Sequence, residues 1–239
     1  SRAFTQAGAT VIGVARRATP GRFLIAGDIT REDDRQRLVD TTLRDFGRID
    51  ILVNNAGLGL RGLFTECQPA DVRAVIDLNI LALMRLTQLV IPAMRRQGGG
   101  QIVNVSSIIG VVATPYNGIY CASKFAVRAF SEALRLELKP AHIDVISILP
   151  GYTDTEFFRH QIRYSGPERM SPIRGQDPDH VGRAIVRACR YRRREVTLSF
   201  FGHVGCWSKR LVPGLVNWSL SRQYLPVRRD STTMPAQPK

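Results

Sequence analysis

The chain has 239 residues, a length that fits one α/β domain or two small ones. Hydrophobic residues make up 44% and charged residues 23%, which supplies a buried core and excludes a disordered or fibrous protein. The formal net charge of +14 at pH 7 leaves nucleic acid, an anionic membrane surface or an acidic ligand open as partners.

Apolar, β-branched runs alternate with amphipathic segments along the chain. In chain order the pattern predicts a helix end at 1–7, strands at 10–15 and 22–26, a helix at 31–46, a strand at 49–54, a helix at 69–97, a strand at 101–106, a helix at 118–138, a strand at 143–149, a helix at 177–191 and a strand at 195–200. Continuous apolar strands between helices predict a Rossmann-like, doubly wound α/β fold, with a mainly parallel sheet covered on both faces. We expect this domain over residues 1–200, a helical extension at 201–225 and a disordered tail at 226–239.

The basic residues are concentrated in the second part of the chain. From residue 152 onward there are 16 basic and 7 acidic residues, and the densest cluster is RYRRR at 190–194. Arginines at the C-terminal end of a helix interact favourably with the helix dipole. A solvated basic face is therefore the favoured interpretation, and nucleic acid binding is disfavoured. The segment 200–224 carries both tryptophans among apolar and basic residues. It fits a membrane surface, a cover over a ligand cleft or a subunit interface.

The cysteine pattern indicates a reducing compartment. The four cysteines form no CxxC pair and no histidine lies at zinc-finger spacing, so we expect free thiols and no metal site. The N-terminus lacks the apolar segment of a signal peptide, and the longest apolar stretch, 72–94, is interrupted by charged and polar residues. These features predict a cytoplasmic protein without a spanning helix.

Tyr120 and Lys124 stand four residues apart on a predicted helix, so both side chains lie on one face. A tyrosine hydroxyl exchanges a proton with a carbonyl or alcohol oxygen, but its ordinary pKa is about 10. Lowering that pKa to about 7 requires roughly 4 kcal/mol, which a close ammonium group in a dry cleft can supply. The pair alone is a weak signal, because most such pairs are solvated helix neighbours.

Two further polar residues strengthen this interpretation. Ser107 lies 13 residues before Tyr120, directly after a predicted strand, where its hydroxyl can hold the oxygen that Tyr120 protonates. Asn79 lies within an otherwise apolar helix face, where a buried amide needs partners or a task. A structural asparagine is the alternative for Asn79.

Together these residues closely resemble the short-chain dehydrogenase/reductase family, over about residues 3–198. The matching motifs are NNAG at 54–57, DLNILA at 77–82, NVSS at 104–107, YCASK at 120–124 and PGYTDTEF at 150–157. The resemblance implies an oxidoreductase that transfers a hydride between a nicotinamide cofactor and a carbonyl or alcohol substrate, and a homo-oligomer.

The resemblance also implies roles for individual residues. Tyr120 is expected to be the general acid/base, Lys124 to lower its pKa and bind the nicotinamide ribose, and Ser107, rather than Ser106, to orient the substrate carbonyl. Asn79 is expected to hold a water that links Lys124 to solvent. The remaining expected cofactor contacts follow strands: Asp28 and Ile29 for the adenine, Asn54, Ala56 and Gly57 for the ribose, and Pro150, Gly151, Thr153 and Thr155 for the carboxamide and phosphate.

Cofactor choice is argued from charge at the end of the strand at 10–15. An acidic residue there would bind the ribose 2′-hydroxyl and repel a 2′-phosphate. The chain has Ala15 followed by Arg16 and Arg17. Because guanidinium groups suit a phosphate, NADP(H) is favoured over NAD(H).

The sequence departs from the family at its start. The family opens with a strand and a TGxxxGxG turn that holds the pyrophosphate, and these 239 residues contain no such motif. The missing strand would be central, between the strands at 10–15 and 49–54. We therefore expect an N-terminally incomplete version of a longer protein, and the alternative function is that of a non-catalytic relative which acts by binding.

Overall fold

A parallel β-sheet with helices on both faces forms the core, in a computed structural model that describes residues 1–16, 23–167 and 175–224. The strands are β1 Gly13–Ala15, β2 Leu24–Ala26, β3 Ile51–Asn54, β4 Leu60–Arg61, β5 Gly100–Val105, β6 Ile143–Leu149, β7 Ile162–Arg163 and β8 Glu195–Thr197. The helices are α1 Arg2–Gln6, α2 Glu32–Phe46, α3 Pro69–Ile76, α4 Leu83–Arg96, α5 Gly118–Glu137, α6 Pro178–Arg190, α7 Phe200–Leu211 and α8 Pro213–Tyr224.

The main sheet has four parallel strands in the order β3-β5-β6-β8. Strands β1 and β2 form a separate parallel pair, and β4 pairs with β7 in a third small sheet. Within the described residues, β1 pairs only with β2, and β3 pairs only with β5. Strands β1 and β3 each have an unpaired edge, and the sequence predicts a missing strand between these two strands.

Two apolar clusters cover the faces of the main sheet. On one face, Met94 of α4 and Leu134 of α5 pack on Ile102 and Val145. On the other face, Ile185 of α6 packs on Val103, Ile146 and Ile148, together with Phe4 of α1. Helices on both faces explain why the central strands are continuously apolar, and the doubly wound α/β fold is confirmed.

A six-residue π-helical turn, Asp77–Ala82, joins α3 to α4 in one long helix. Among the described residues this helix, Pro69–Arg96, is the one that is long and apolar enough to span a membrane by length and composition. In the fold it lies against the sheet, with Val75, Val90 and Met94 buried, which is the position of a core helix.

The observed elements differ from the predicted ones at several ends. The last strand stops at Thr197, because Ser199 caps α7 by accepting a hydrogen bond from the Gly202 amide at 2.9 Å. The two-residue strands β4 and β7 were not expected, since a run of two residues carries no periodicity. The predicted disordered tail at 226–239 lies outside the described residues, as does Arg17.

Candidate active site

The predicted site residues follow strands whose carboxyl ends meet at one edge of the sheet. Gly57 follows β3, Ser107 follows β5 and Gly151 follows β6. Strand β5 pairs in parallel with β3 on one side and with β6 on the other. In an open parallel sheet the ligand crevice lies at this edge. The fold therefore brings together residues that are up to 94 positions apart in the sequence.

Helix α5 presents Tyr120 and Lys124 toward this edge. The Lys124 ammonium donates a hydrogen bond to the Val105 carbonyl at 2.9 Å, and Nζ lies 5.7 Å from the centre of the Tyr120 ring. Lys124 itself is buried. The end of β5 thus fixes the lysine beside the tyrosine, as the four-residue spacing predicts.

The two adjacent serines after β5 have different environments. Ser106 is buried, and its hydroxyl donates to the Lys124 carbonyl at 2.9 Å. Ser107 is half-buried. Among the described residues its hydroxyl makes only long hydrogen bonds: it donates to the Pro150 carbonyl at 3.5 Å and accepts from the Ile109 amide at 3.4 Å. Ser106 therefore braces α5, while the Ser107 hydroxyl is available to a substrate oxygen.

Asn79 lies in the π-helical turn and is buried. Its Oδ1 accepts from the Leu58 amide at 2.7 Å, and its Nδ2 donates to the Leu58 carbonyl and to the Ser123 hydroxyl, both at 3.0 Å. Ser123 in turn donates to the Tyr120 carbonyl at 2.8 Å. The amide group thus holds the loop after β3 against the first turn of α5, and the expected role of Asn79 in holding a water stays a prediction.

Burial shifts the pKa values of both groups toward their neutral forms. It raises the pKa of Tyr120 above its ordinary value of 10, and Cys121 adds a smaller effect in the same direction. It lowers the pKa of Lys124 to about 8. Desolvation, which disfavours the charged form of each side chain, is therefore the main cause of both shifts.

The residues in and after the end of β3 differ in how deeply they are buried. Asn54 is buried, and its amide donates to Thr87 at 3.0 Å and to Asn104 at 2.9 Å, so its side chain points into the protein rather than toward a cofactor. Ala56 is exposed and Gly57 is half-buried. A Cβ on Gly57 would lie 3.3 Å from Asn79 Oδ1 and 3.6 Å from Lys124 Nζ, so glycine keeps the space beside the lysine open.

The expected adenosine-side residues lie at the ends of β1 and β2. Asp28 Oδ1 accepts from the Thr30 amide at 2.9 Å and from the Thr30 hydroxyl at 2.7 Å, which lowers the pKa of Asp28. The Ile29 carbonyl accepts from the Arg35 guanidinium. Arg16 is exposed and contributes to the lowered pKa of Asp28, so the two charges face the same end of the small sheet.

The loop after β6 is held by Gln176, a residue that the sequence analysis missed. Gln176 Oε1 accepts from the Gly151 amide at 3.2 Å, and its Nε2 donates to the Leu198 carbonyl at 2.8 Å. Its backbone pairs with both neighbours of Thr153. Pro150, Gly151, Thr153 and Thr155 are all half-buried and lie along this loop. In the sequence, Gln176 lies in a segment without helix or strand periodicity, so no sequence pattern identifies it as a site residue.

An aromatic lid lies over the tyrosine. The Phe157 ring is 5.5 Å from the Tyr120 ring and 5.2 Å from Phe158, which lies 4.5 Å from Tyr152. A Cβ on Gly59 would lie 3.1 Å from Phe157, so a glycine is needed beneath the lid. Aromatic rings therefore lie beside Tyr120, and two of them, Tyr152 and Phe158, line a pocket together with Arg159 and Arg163.

The residues at this edge would meet parts of a nicotinamide dinucleotide. Lys124 Nζ beside Gly57 would hold the ribose, and backbone groups of the loop after β6 would hold the carboxamide. For the pyrophosphate, the 239 residues contain no TGxxxGxG turn.

Comparison with known proteins identifies the family. Residues 1–164 match the family described as short chain dehydrogenase. The chain belongs to the short-chain dehydrogenase family. A curated member, the 3-ketodihydrosphingosine reductase of Bacteroides thetaiotaomicron, is 34% identical over 181 residues, which are 74% of this chain and 64% of that protein.

Solved short-chain dehydrogenase structures have the same fold. One from Burkholderia cenocepacia, in complex with NADP, aligns with a TM-score of 0.74 at 25% identity, over 87% of this chain and 85% of that one. A 3-ketoacyl-(acyl-carrier-protein) reductase from Brucella melitensis, complexed with NADH, aligns with a TM-score of 0.73 at 26% identity, over 82% and 90%. Members similar to this chain therefore bind either nicotinamide cofactor.

Proposed function

We propose that the chain is an NADP(H)-dependent reductase of carbonyl compounds, with Tyr120 as the general acid. The observation that supports the proposal is that Lys124 Nζ lies 5.7 Å from the centre of the Tyr120 ring and bonds the Val105 carbonyl, two residues before Ser107 at the end of β5. The nicotinamide, when bound, supplies or accepts the hydride.

The chain's own residues handle the oxygen and its proton. The Ser107 hydroxyl, which has no short hydrogen bond among the described residues, donates to the carbonyl oxygen and orients it. Tyr120, which burial keeps protonated, donates its proton to that oxygen as negative charge develops there. The Lys124 ammonium, held at Val105, then stabilises the phenolate that remains.

The cofactor preference rests on Arg16, since guanidinium groups match a 2′-phosphate. Arg16 is exposed at the end of β1, where it is free to contact the phosphate. Arg17 is proposed as a second contact from its position in the sequence.

The substrate is proposed to carry an apolar chain or ring next to its carbonyl. The ring of Phe157 covers Tyr120, and Phe158 and Tyr152 extend the same apolar wall. The similar 3-ketodihydrosphingosine reductase is named for the reduction of a ketone, which supports a ketone as the substrate. Leu81 and Phe125, exposed in the segments that carry Asn79 and Tyr120, support assembly as a homo-oligomer. The cytoplasm is proposed as its location from the cysteine pattern of the sequence.

The test is NADPH consumption against a panel of apolar and polar carbonyl compounds. We would assay the 239-residue chain and the same chain fused behind a strand and a TGxxxGxG turn taken from a relative. The proposal predicts turnover by the fused form, with NADPH preferred to NADH and apolar ketones preferred to polar ones. Absence of turnover by a folded fusion that binds NADPH would contradict it.

The alternative function is that of a non-catalytic relative, which acts by binding. NADPH consumption by the fused form in the presence of a ketone separates the two functions. A non-catalytic protein would bind the cofactor, or fail to bind it, without consuming it in the presence of any ketone.

A further inference from the structure

The C-terminal helices expose an unusual group of apolar side chains. Of the sixteen large hydrophobic residues exposed in the described part of the chain, six lie within the fifteen residues 204–218. We call these six the C-terminal apolar face: Val204, Trp207, Leu211, Val212, Leu215 and Trp218, with exposed fractions of 46%, 61%, 70%, 46%, 62% and 57%. A cluster of this kind marks an interaction surface rather than chance exposure.

The two faces of α7 have different partners. Gly202 and Gly205 face inward, where a Cβ on Gly202 would lie 2.6 Å from Ile108 and one on Gly205 would lie 3.9 Å from Val112. On the outer face Val204, Trp207 and Leu211 follow the spacing i, i+3, i+7, which places them in one stripe. The glycine face fixes the helix to the turn after Ser107, so the stripe stays turned outward.

The charged side chains of α7 and α8 are all basic, while Glu195 of β8, paired with Arg128, acts on Cys206 of α7. Residues 196–229 contain no Asp or Glu, while Lys209, Arg210 and Arg222 lie within the two helices. The Arg222 guanidinium lies 5.2 Å from the centre of the Trp218 ring, and Lys209 donates to Asn217, which links α7 to α8. Exposed tryptophans with cations beside them are the pattern of a helix at a lipid–water interface.

We propose that the C-terminal apolar face binds the surface of an anionic membrane, with both tryptophans at the headgroup level and Lys209, Arg210 and Arg222 at lipid phosphates. A second copy of the chain fits less well. Two such faces packed together would bring cations of both copies close, with no carboxylate in residues 196–229 of either copy to pair with them. The inference goes beyond the proposed reductase activity and does not rest on it, because binding is measured without cofactor or substrate.

Intrinsic fluorescence tests the proposal directly, since Trp207 and Trp218 are the chain's two tryptophans and both belong to this face. We would titrate the full chain with vesicles of phosphatidylcholine alone and of phosphatidylcholine with phosphatidylglycerol, at low and high salt. The expected result is a blue shift of the emission with anionic vesicles, a much weaker shift with neutral ones, and partial reversal by salt.

Two double variants separate the apolar and the charged contributions. Trp207→Ser with Trp218→Ser should abolish co-sedimentation with anionic vesicles. Arg210→Gln with Arg222→Gln, which keeps both tryptophans, should weaken it by about fivefold per residue. Matched controls are Leu136→Ser, which removes an exposed leucine on α5, and Arg95→Gln with Arg96→Gln at the end of α4. Neither control should change binding.

Three results would overturn the proposal. The first is no emission shift with anionic vesicles at low salt, for a chain whose circular dichroism shows it folded. The second is equal loss of binding in the α4 control, which would indicate a diffuse attraction of the whole cationic chain. The third is a dimer on sedimentation that dissociates in the tryptophan variant, which would assign the face to a second copy.

Discussion

Lys124 and Tyr120 lie in surroundings that favour the uncharged form of each side chain. Burial lowers the pKa of Lys124 to about 8 and raises that of Tyr120. Spacing alone reveals that the two residues share a helix face, but not how dry their surroundings are. The depth of Lys124 depends on β5 and on the loop after β3, which come from other parts of the chain.

The lowered pKa of Lys124 predicts a pH-dependent stability. Because the folded pKa of about 8 lies below the ordinary value of 10.5, the unfolded chain holds more protons between these pH values. The contribution of Lys124 to the free energy of unfolding should therefore rise with pH across this window, by up to about 3 kcal/mol. Urea unfolding of the wild type and of Lys124→Met at pH 7 and pH 10 measures the difference.

Subtracting the free energy of unfolding of Lys124→Met from that of the wild type at each pH cancels the titration of every other group. Lys139→Met, which replaces an exposed lysine, serves as the control and should follow the wild type. A difference between the wild type and Lys124→Met that stays constant from pH 7 to pH 10 would show that burial does not depress this pKa.

The second single-residue prediction concerns Arg16, whose guanidinium group is proposed to set the preference for NADPH over NADH. Replacing it by alanine removes a charge-assisted hydrogen bond to a 2′-phosphate, which is worth about 1.5–3 kcal/mol. In the fused form, Arg16→Ala should lower the ratio of NADPH to NADH affinity by about tenfold or more. Arg48→Ala, which removes an exposed arginine before β3, is the control. An unchanged ratio in Arg16→Ala would leave the preference without its proposed cause.

At the scale of elements, a chain of buried polar side chains joins two helices through the sheet. Thr87 of α4 accepts from Asn54 of β3, which donates to Asn104 of β5, and Asn104 donates to Ser131 of α5 at 2.8 Å. All four are buried. This polar chain lies under the active-site loops and connects the elements that position Gly57, Ser107 and Tyr120.

The polar chain predicts a graded set of stability losses. Asn104→Ala removes two buried hydrogen bonds, one from Asn54 and one to Ser131, while Asn54 keeps Thr87 and Ser131 keeps the Val127 carbonyl. At about 1 kcal/mol for each bond, we expect a loss of about 2 kcal/mol. Thr87→Val removes one partner and leaves Asn54 bonded to Asn104, so about 1 kcal/mol is expected. Urea unfolding at pH 7 checks both. Equal effects of the two variants would show that the bonds do not act as a chain.

The sequence predicts these elements unequally. Asn104 lies in an apolar strand and, like Asn79, is a polar residue in a place that requires a partner. Its partner Ser131 lies 27 residues away on α5, and no local pattern indicates that pairing. The strands β4 and β7 likewise form only because the lid folds back on the loop after β3, where the Ile162 amide donates to the Gly59 carbonyl at 2.9 Å. Contacts of this range depend on the complete fold.

At the scale of the whole molecule, the sheets have two unpaired parallel edges. Within the described residues β1 ends one sheet and β3 ends another, and Ile51, Leu52 and Val53 are only half-buried. A parallel sheet covered by helices follows from the alternation of strands and helices, so it is predictable from the sequence. The order of the strands depends on contacts between distant parts of the chain.

These edges predict a gain from an added strand. A fused strand with a TGxxxGxG turn should pair with both β1 and β3, and the turn should bind the pyrophosphate through its backbone amides. We expect the fused form to unfold at higher urea concentration than the 239-residue chain and to bind NADPH more tightly. A fusion whose TGxxxGxG is changed to TAxxxAxA controls for the strand alone and should gain stability without affinity. Equal NADPH binding by all three forms would contradict this account of the edges.

The central claim is that Tyr120 protonates a carbonyl oxygen while a hydride reaches the carbonyl carbon. Single-turnover reduction of an apolar ketone with NADPH deuterated at the transferred position measures this most directly, by mass spectrometry of the alcohol. The fused wild type and Tyr191→Phe, which alters an exposed tyrosine, should place one deuterium on the carbinol carbon at the same rate. Tyr120→Phe should slow this transfer by about 10²–10⁴-fold with unchanged NADPH binding, and transfer at the wild-type rate would contradict the claim.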